Sequence, residues 1–297
     1  MNKWWWLLLT ILCWTGAGFA ILGVRQERCR SVTPLPSQVN RIVSMAPNLT
    51  EILFALGLDE KIVAVSNDSD YPPETADRSK VGTFWQPNIE AVIAAKPDLV
   101  ITLGFSQQRN LAQRLKRIGY NSLALNIEEV SELFEAIERI GAATGRRDEA
   151  KELVDNIRKK LHNLSALVGT NRVKVLWIVQ REPLRVAGCD TFVNEMIKMA
   201  GGENALGPTV YKYPPIGAEE VIAGRADVII EPAMEQKNLA GQQDKALQYW
   251  SKFKNVPAVR DRRVYVIDGD TVSRLGPRLY EGVETIAKCL RPELFEK

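Results

Sequence analysis

The sequence predicts an α/β protein made of two lobes, each a mostly parallel sheet covered by helices, joined by one long rigid helix with a ligand cleft between the lobes. Three observations carry this expectation. Apolar strand-like runs alternate with helical ones along two separate stretches, the pattern of a sheet buried on both faces. Between those stretches lie 22 residues, 147–168, with no Gly or Pro. A fourteen-residue motif occurs once on either side of that segment.

The first stretch opens with Arg41-Ile42-Val43-Ser44-Met45, read as a buried strand. Asn48-Leu49-Thr50-Glu51 then offers an N-cap with a carboxylate three residues on, starting an apolar helix that closes at Gly57. A strand over 62–65, a turn-rich stretch over 67–74, a helix over 88–95, a strand over 98–103, a helix over 106–118, a strand over 122–125 and a helix over 129–143 follow. Residues 147–168 are strong helix formers and give a continuous rod of about 33 Å. The second stretch reads strand 173–180, helices 190–200 and 217–224, strand 227–231, helix 243–252, strand 263–267 and helix 277–290. The expected layout is therefore an N-terminal lobe over 40–145, a connecting helix over 146–169 and a C-terminal lobe over 170–297, both lobes Rossmann-like.

The repeat strengthens that layout. NIEAVIAAKPDLVI at 88–101 aligns with GAEEVIAGRADVII at 217–230. Six of the fourteen positions are identical: Glu90/Glu219, Val92/Val221, Ile93/Ile222, Ala94/Ala223, Asp98/Asp227 and Ile101/Ile230. The same offset pairs Phe84 with Tyr213, so an aromatic residue precedes the helix in both halves. Duplicated lobes explain this better than the general likeness of helix–strand units.

At 297 residues the chain is about twice a typical domain. It is 45% hydrophobic and 25% charged with a net charge of +3, and its charges are interleaved. No clustered basic footprint points to nucleic acid. The N-terminus departs from this average: residues 4–24 carry no charge and end at Arg25. Twenty-one residues reach ~31 Å as a helix, enough to cross a bilayer. Residues 1–24 are read either as a cleaved signal peptide, with a small-residue site near Gly18-Phe19-Ala20, or as a retained signal anchor with Trp4, Trp5 and Trp6 at the interface. Residues 25–39, with Pro34 and Pro36, read as a tether. Cys13 follows Thr10-Ile11-Leu12 and lacks the small residue expected before a lipid-modified cysteine. In the folded body, Cys189 and Cys289 either pair in an oxidising compartment or stay as buried thiols.

Ligands of open α/β sheets bind beyond the carboxyl ends of the strands. The loops there offer Tyr71, Phe84, Trp85, Tyr211 and Tyr213, rigid rings suited to a large ligand with apolar faces. Arg181 and Arg185, in an expected cleft loop, are candidates for meeting an anionic group. Glu90 and Glu219 each open a helix, where the dipole favours a carboxylate by up to about 1 kcal/mol. Their symmetry also suits two docking points on a partner. Catalysis finds little support: the single histidine, His162, lies among Lys159, Lys160 and Asn163, and no HExxH, GxSxG or phosphate-cradling loop is present. No metal site and no enzyme activity are expected.

The segments RIVSMAPNLTEILFALGL, SDYPPE, VGTFWQPNIEAVIAAKPDLVI, AGGENALG, YPPIGAEEVIAGRADVII and DGDTVSRLGPRLYEGVETIAKCL resemble, in order and spacing, the helical-backbone periplasmic binding proteins of ABC importers. Those proteins carry cobalamin, haem and iron–siderophores. SDYPPE followed by FWQPNIE looks most like the cobalamin-binding branch. The resemblance covers roughly residues 38–292 and implies an exported, extracytoplasmic monomer. It implies that the protein passes cobalamin or a related corrinoid to a permease dimer, with an iron chelate or haem as the alternative ligand and no resident cofactor. Position by position it implies ligand contacts at Tyr71, Tyr213, Phe84 or Trp85, and Asp270. It also implies permease docking through Glu90 and Glu219, with residues 147–168 as the rigid strut. Departures stand at Ser273, near an acidic contact of that branch, at Tyr213, which replaces a tryptophan, and at Ala200, where that branch has a disulfide cysteine. Cys289 matches the partner cysteine, so a bridge here would have to use Cys189.

Overall fold

The computed structural model describes residues 39–233 and 238–296. The export segment 1–24 and residues 25–38 lie outside them. Val39, expected at the end of the tether, is instead buried in the core, and its carbonyl accepts a 2.8 Å bond from Lys61 Nζ.

The first half folds as β1 (Ile42–Ser44), α1 (Pro47–Ala55), β2 (Ile62–Val65), β3 (Ser79–Lys80), α2 (Ile89–Ala94), β4 (Leu99–Leu103), α3 (Ser106–Arg117), β5 (Ser122–Leu125) and α4 (Val130–Thr144). Its sheet runs β3-β2-β1-β4-β5, all parallel. After α5 (Arg147–Val168) come β6 (Val173–Arg181), β7 (Leu184–Val186), α6 (Phe192–Met199), β8 (Gly202–Asn204), α7 (Ala218–Gly224), β9 (Val228–Ala233), α8 (Leu239–Trp250), α9 (Pro257–Arg260), β10 (Val264–Asp268) and α10 (Leu279–Leu290). The second sheet runs β10-β9-β6, with β8 pairing the start of β6 in parallel and β7 folding back antiparallel along its end.

Alternation along the strands explains why both sheets are covered on both faces. In the first lobe Ile42, Leu99 and Ile101 face the central core, while Val43 and Val100 face an outer cluster with Val92, Leu111 and Leu115. In the second, Val175, Trp177, Val228 and Ile230 face the central core, and Leu176, Ile178 and Ile229 pack outward on Val221, Ala246 and Trp250. α5 supplies Ala150, Val154, Ile157, Leu161, Leu164 and Val168, a stripe of alternating fours and threes, to that central core. The core is continuous through α5 from one sheet to the other, and the helix packs on α4, α6 and α10. A joint built this way resists bending, because opening it would expose apolar surface.

The structure corrects several local expectations. α1 is capped by Ala46 with Pro47 in its first turn, so Asn48 is not the cap and Glu51 is not a capping carboxylate. A proline needs no N–H partner at a helix start, which is why the boundary moves forward. α8 starts at Leu239, four residues before the expected helix, and β7, β8, β3 and α9 were too short to show a period. Cys189 and Cys289 are free thiols. Cys189 Sγ faces the carbonyls of Leu206 and Gly207 at 3.7 and 3.6 Å, whereas Cys289 sits on α10 inside the central core. Burial pushes the Cys289 thiol up to about 11.

Candidate ligand cleft and inter-lobe contacts

The end of β1, the first turns of α1 and the turn after β2 meet in a buried hydroxyl network. Thr50 Oγ1 bonds Ser44 Oγ at 2.8 Å and Ser69 Oγ at 3.0 Å, and Ser66 Oγ lies 2.9 Å from Ser69 Oγ. This pins the turn after β2, so Asp70 and Tyr71 leave it from a fixed base. Asp68 Oδ2 accepts the Phe84 N–H at 2.7 Å. Gln108, wholly buried at the start of α3, donates to the carbonyls of Met45 (2.7 Å) and Phe84 (3.0 Å) and accepts from Leu103 N–H. The Phe84 loop is therefore clamped from two sides.

On that base stands an aromatic triad. Ring centroids lie 4.5 Å apart for Phe84–Trp85, 5.2 Å for Trp85–Phe105 and 5.9 Å for Phe84–Phe105. Trp85 is 57% exposed, Tyr71 41% and Tyr213 37%, unusual for rings this well supported. In the second lobe the Tyr213 loop runs beside β7: Val186 N–H donates to Pro214 O at 3.2 Å, Gly188 N–H to Lys212 O at 2.8 Å, and Arg185 Nη1 to Tyr213 O at 3.2 Å. Burial raises the Tyr213 phenol above its ordinary range.

Charged contacts join the lobes. Arg278 forms a two-pronged bond to Glu51, 2.6 and 2.9 Å, with side-chain exposures of only 15% and 4%. Its guanidinium also lies 3.9 Å over the Tyr71 ring and 3.7 Å from Asp270. Burial alone would lower the Arg278 proton affinity, but Glu51 and Asp270 more than offset this and raise it. Arg274 bonds Asp70 at 2.5 and 3.2 Å and Asp270 at 3.1 Å. Arg274 holds the Asp70 carboxyl below the usual carboxylate range. Asn48 Nδ2 donates to Leu275 O, and Val130 N–H donates to Glu195 Oε2 at 2.8 Å. Between α1, α5 and residues 277–281 lies a cavity of about 340 Å³ lined by Phe54, Tyr71, Ile157, Arg278 and Tyr280.

Among the sequence-derived candidates, Phe84 and Trp85 touch each other, and Tyr71 reaches Asp270 only through Arg278. Tyr213 and Arg185 form a third group. Arg181 is corrected: it is bonded to Glu231 at 2.9 and 2.5 Å and lies over Tyr249, so it braces β6 and β9. Glu90 and Glu219 are exposed at the starts of α2 and α7, and no ion pair engages either among the described residues. His162 is exposed on α5. Sequence reasoning missed Phe105, Gln108, Asp70, Glu51, Arg274 and Arg278. The i, i+4 spacing of Arg274 and Arg278 was the one visible sign, and their partners lie more than two hundred residues away.

Comparison with known proteins places this geometry. A family model described as periplasmic binding protein matches residues 42–271. An uncharacterized ABC transporter substrate-binding lipoprotein of Bacillus subtilis (strain 168) is 32% identical over 271 residues, covering 89% of this chain and 83% of its own. A vitamin B12-binding protein of Vibrio parahaemolyticus is 28% identical over 260 residues, covering 85% and 90%. The crystal structure of a possible iron-binding (periplasmic solute-binding) protein from Staphylococcus epidermidis superposes with a TM-score of 0.75 at 28% identity, over 85% of this chain and 99% of that one.

Proposed function

The chain belongs to the periplasmic binding protein family, and we propose that it binds cobalamin or a related corrinoid between its lobes and delivers it to the membrane permease of an ABC importer. As a family member it is a transport component, not an enzyme. The observation that carries the ligand reading is the set of partly exposed, rigidly backed rings at the strand ends: Trp85 with Phe84, Tyr71, and Tyr213. Such rings suit the apolar faces of a macrocycle, and exposed Arg185 supplies a polar group beside Tyr213, while Asp270 would act through the Arg274 and Arg278 it pairs with. The vitamin B12-binding relative supports the same reading. The 340 Å³ cavity behind Tyr71 is too small for a corrinoid, so we place the ligand at the rings between the lobes.

An iron chelate is the second reading, favoured by the Staphylococcus epidermidis neighbour. Glu90 and Glu219, exposed and without ion pairs among the described residues, are the proposed docking points for the two halves of a permease. We also read residues 4–24 as the export segment, removed or kept as an anchor.

Two sets of variants test this. Tyr71→Ala and Tyr213→Ala should each weaken cyanocobalamin binding by ~1–3 kcal/mol, the range of other aromatic stacking contacts. Unchanged affinity in both would move the ligand elsewhere. Glu90→Arg with Glu219→Arg should abolish uptake and leave affinity nearly intact; lost affinity would refute the docking role.

A further inference from the structure

Each tyrosine assigned to the ligand directly follows a charged residue that reaches across to the other lobe. Asp70, beside Tyr71, takes the two-pronged bond from Arg274 at 2.5 and 3.2 Å. Lys212, beside Tyr213, bonds Glu128 at 2.6 Å. In both pairs the first lobe supplies the acid and the second the base. Consecutive Cα atoms are held about 3.8 Å apart, so a force on the charged residue is felt by its tyrosine. Each tyrosine has a second tether on the C-terminal lobe as well: Arg278 over the Tyr71 ring, and Arg185 on the Tyr213 carbonyl.

We propose that Asp70–Arg274 and Glu128–Lys212 are paired ties across the cleft that set the separation of Tyr71 and Tyr213, which makes these four residues positioning residues for ligand capture. The ties differ in kind from the buried Glu51–Arg278 pair. Asp70, Glu128 and Lys212 have side-chain exposures of 60%, 70% and 50%, and Arg274 23%. Exposed ion pairs of this sort shift a two-state equilibrium by at most about fivefold each. Two together therefore favour the closed arrangement by up to about 25-fold, enough to slow ligand escape and small enough to be undone at release. Salt weakens exposed pairs far more than buried ones. The apolar joint at α5 is the pivot and is insensitive to salt, while the ties at the tyrosines respond to ionic strength.

The effect on ligand escape rests on the proposed ligand reading; the ties themselves do not. The test is the distance between spin labels on the two lobes of the full chain, at Lys116→Cys and Lys254→Cys, with native cysteines changed to serine. Wild type should give a narrow distribution at low salt that broadens and lengthens at about 1 M salt. The Arg274→Met/Lys212→Met variant should be broad at both. Glu128→Lys alone should also broaden the distribution, and adding Lys212→Glu, which exchanges the pair, should restore the narrow form, which a merely structural loss would not. Identical distributions for wild type and the double methionine variant at low salt would overturn the proposal. Cyanocobalamin dissociation from the double variant should be up to about 25-fold faster and should lose its salt dependence. Absence of cyanocobalamin binding to wild type would sink the ligand reading alone, with the distance measurement still deciding the ties.

Discussion

The two copies of the repeated motif agree where they build the sheet and differ at the helix starts and in the loops before them. Asp98 N–H donates to Arg41 O at 2.8 Å while its carboxylate accepts Asn40 and Arg41 N–H; Asp227 N–H donates to Lys174 O at 2.8 Å while its carboxylate accepts Lys174 N–H. Both aspartates stitch the incoming strand to the edge of its neighbour. Lys96 and Arg225, at matched positions, both take left-handed backbone with φ of 47° and 46°. Val92 and Val221 are buried alike, as are Ile101 and Ile230. Outside these positions the copies part. Asn88 caps α2 with its side chain, whereas at α7 Glu220 reaches back to the Gly217 N–H at 2.9 Å. Phe84-Trp85 in one half corresponds to Tyr213-Pro214 in the other. The difference teaches that duplication preserved the packing unit and left the loops before the helices free to diverge.

The comparison breaks first at the core. Ile101→Ala and Ile230→Ala, both at wholly buried sites, should each cost 2–5 kcal/mol, about the range for isoleucine truncation, with similar values in denaturant unfolding. A large inequality would mean that the halves do not bear load alike.

Next comes the fifth residue of the first helix after each leading strand, Glu51 in α1 and Met196 in α6. The first lobe buries a charge there because Arg278 crosses to meet it. Glu51→Ala should therefore cost about 3 kcal/mol, the low end for orphaning a buried partner, since Asp270 still faces Arg278. A loss under about 1 kcal/mol, typical of surface pairs, would show the pair to be dispensable.

The smallest effect is expected at the stitches. Asp98→Ala and Asp227→Ala remove carboxylate bonds to backbone N–H groups and should each cost about 1.5–3 kcal/mol at most, less where water replaces the bond. Chemical denaturation would show whether one stitch matters more than the other.

Much of this was legible in the chain. Residues 147–168, 62–65 and 122–125 fold as the elements expected over those spans, because an unbroken run of helix formers and short apolar runs between turn residues leave little choice. The repeat marked Asp98/Asp227 as equivalent before their shared bonds were visible. The aromatic candidates could be picked out by their prolines and polar neighbours. What the sequence hid was long-range. Glu51 looked like a capping residue because a carboxylate three positions after asparagine fits that pattern locally, and only the fold brings Arg278 to it. Phe105 and Gln108 sit at the mouth of α3 with no local sign that they back Trp85 and the Phe84 loop. The thiols likewise needed the fold: Cys289 points into the central core and Cys189 toward the loop after β8.

The central claim is that the cleft takes a corrinoid, and calorimetric titration of the full chain with cyanocobalamin tests it most directly. The account predicts saturable binding of one ligand per chain. No heat and no rise in melting temperature with cyanocobalamin, alongside saturable binding of haem or a ferric siderophore, would contradict it.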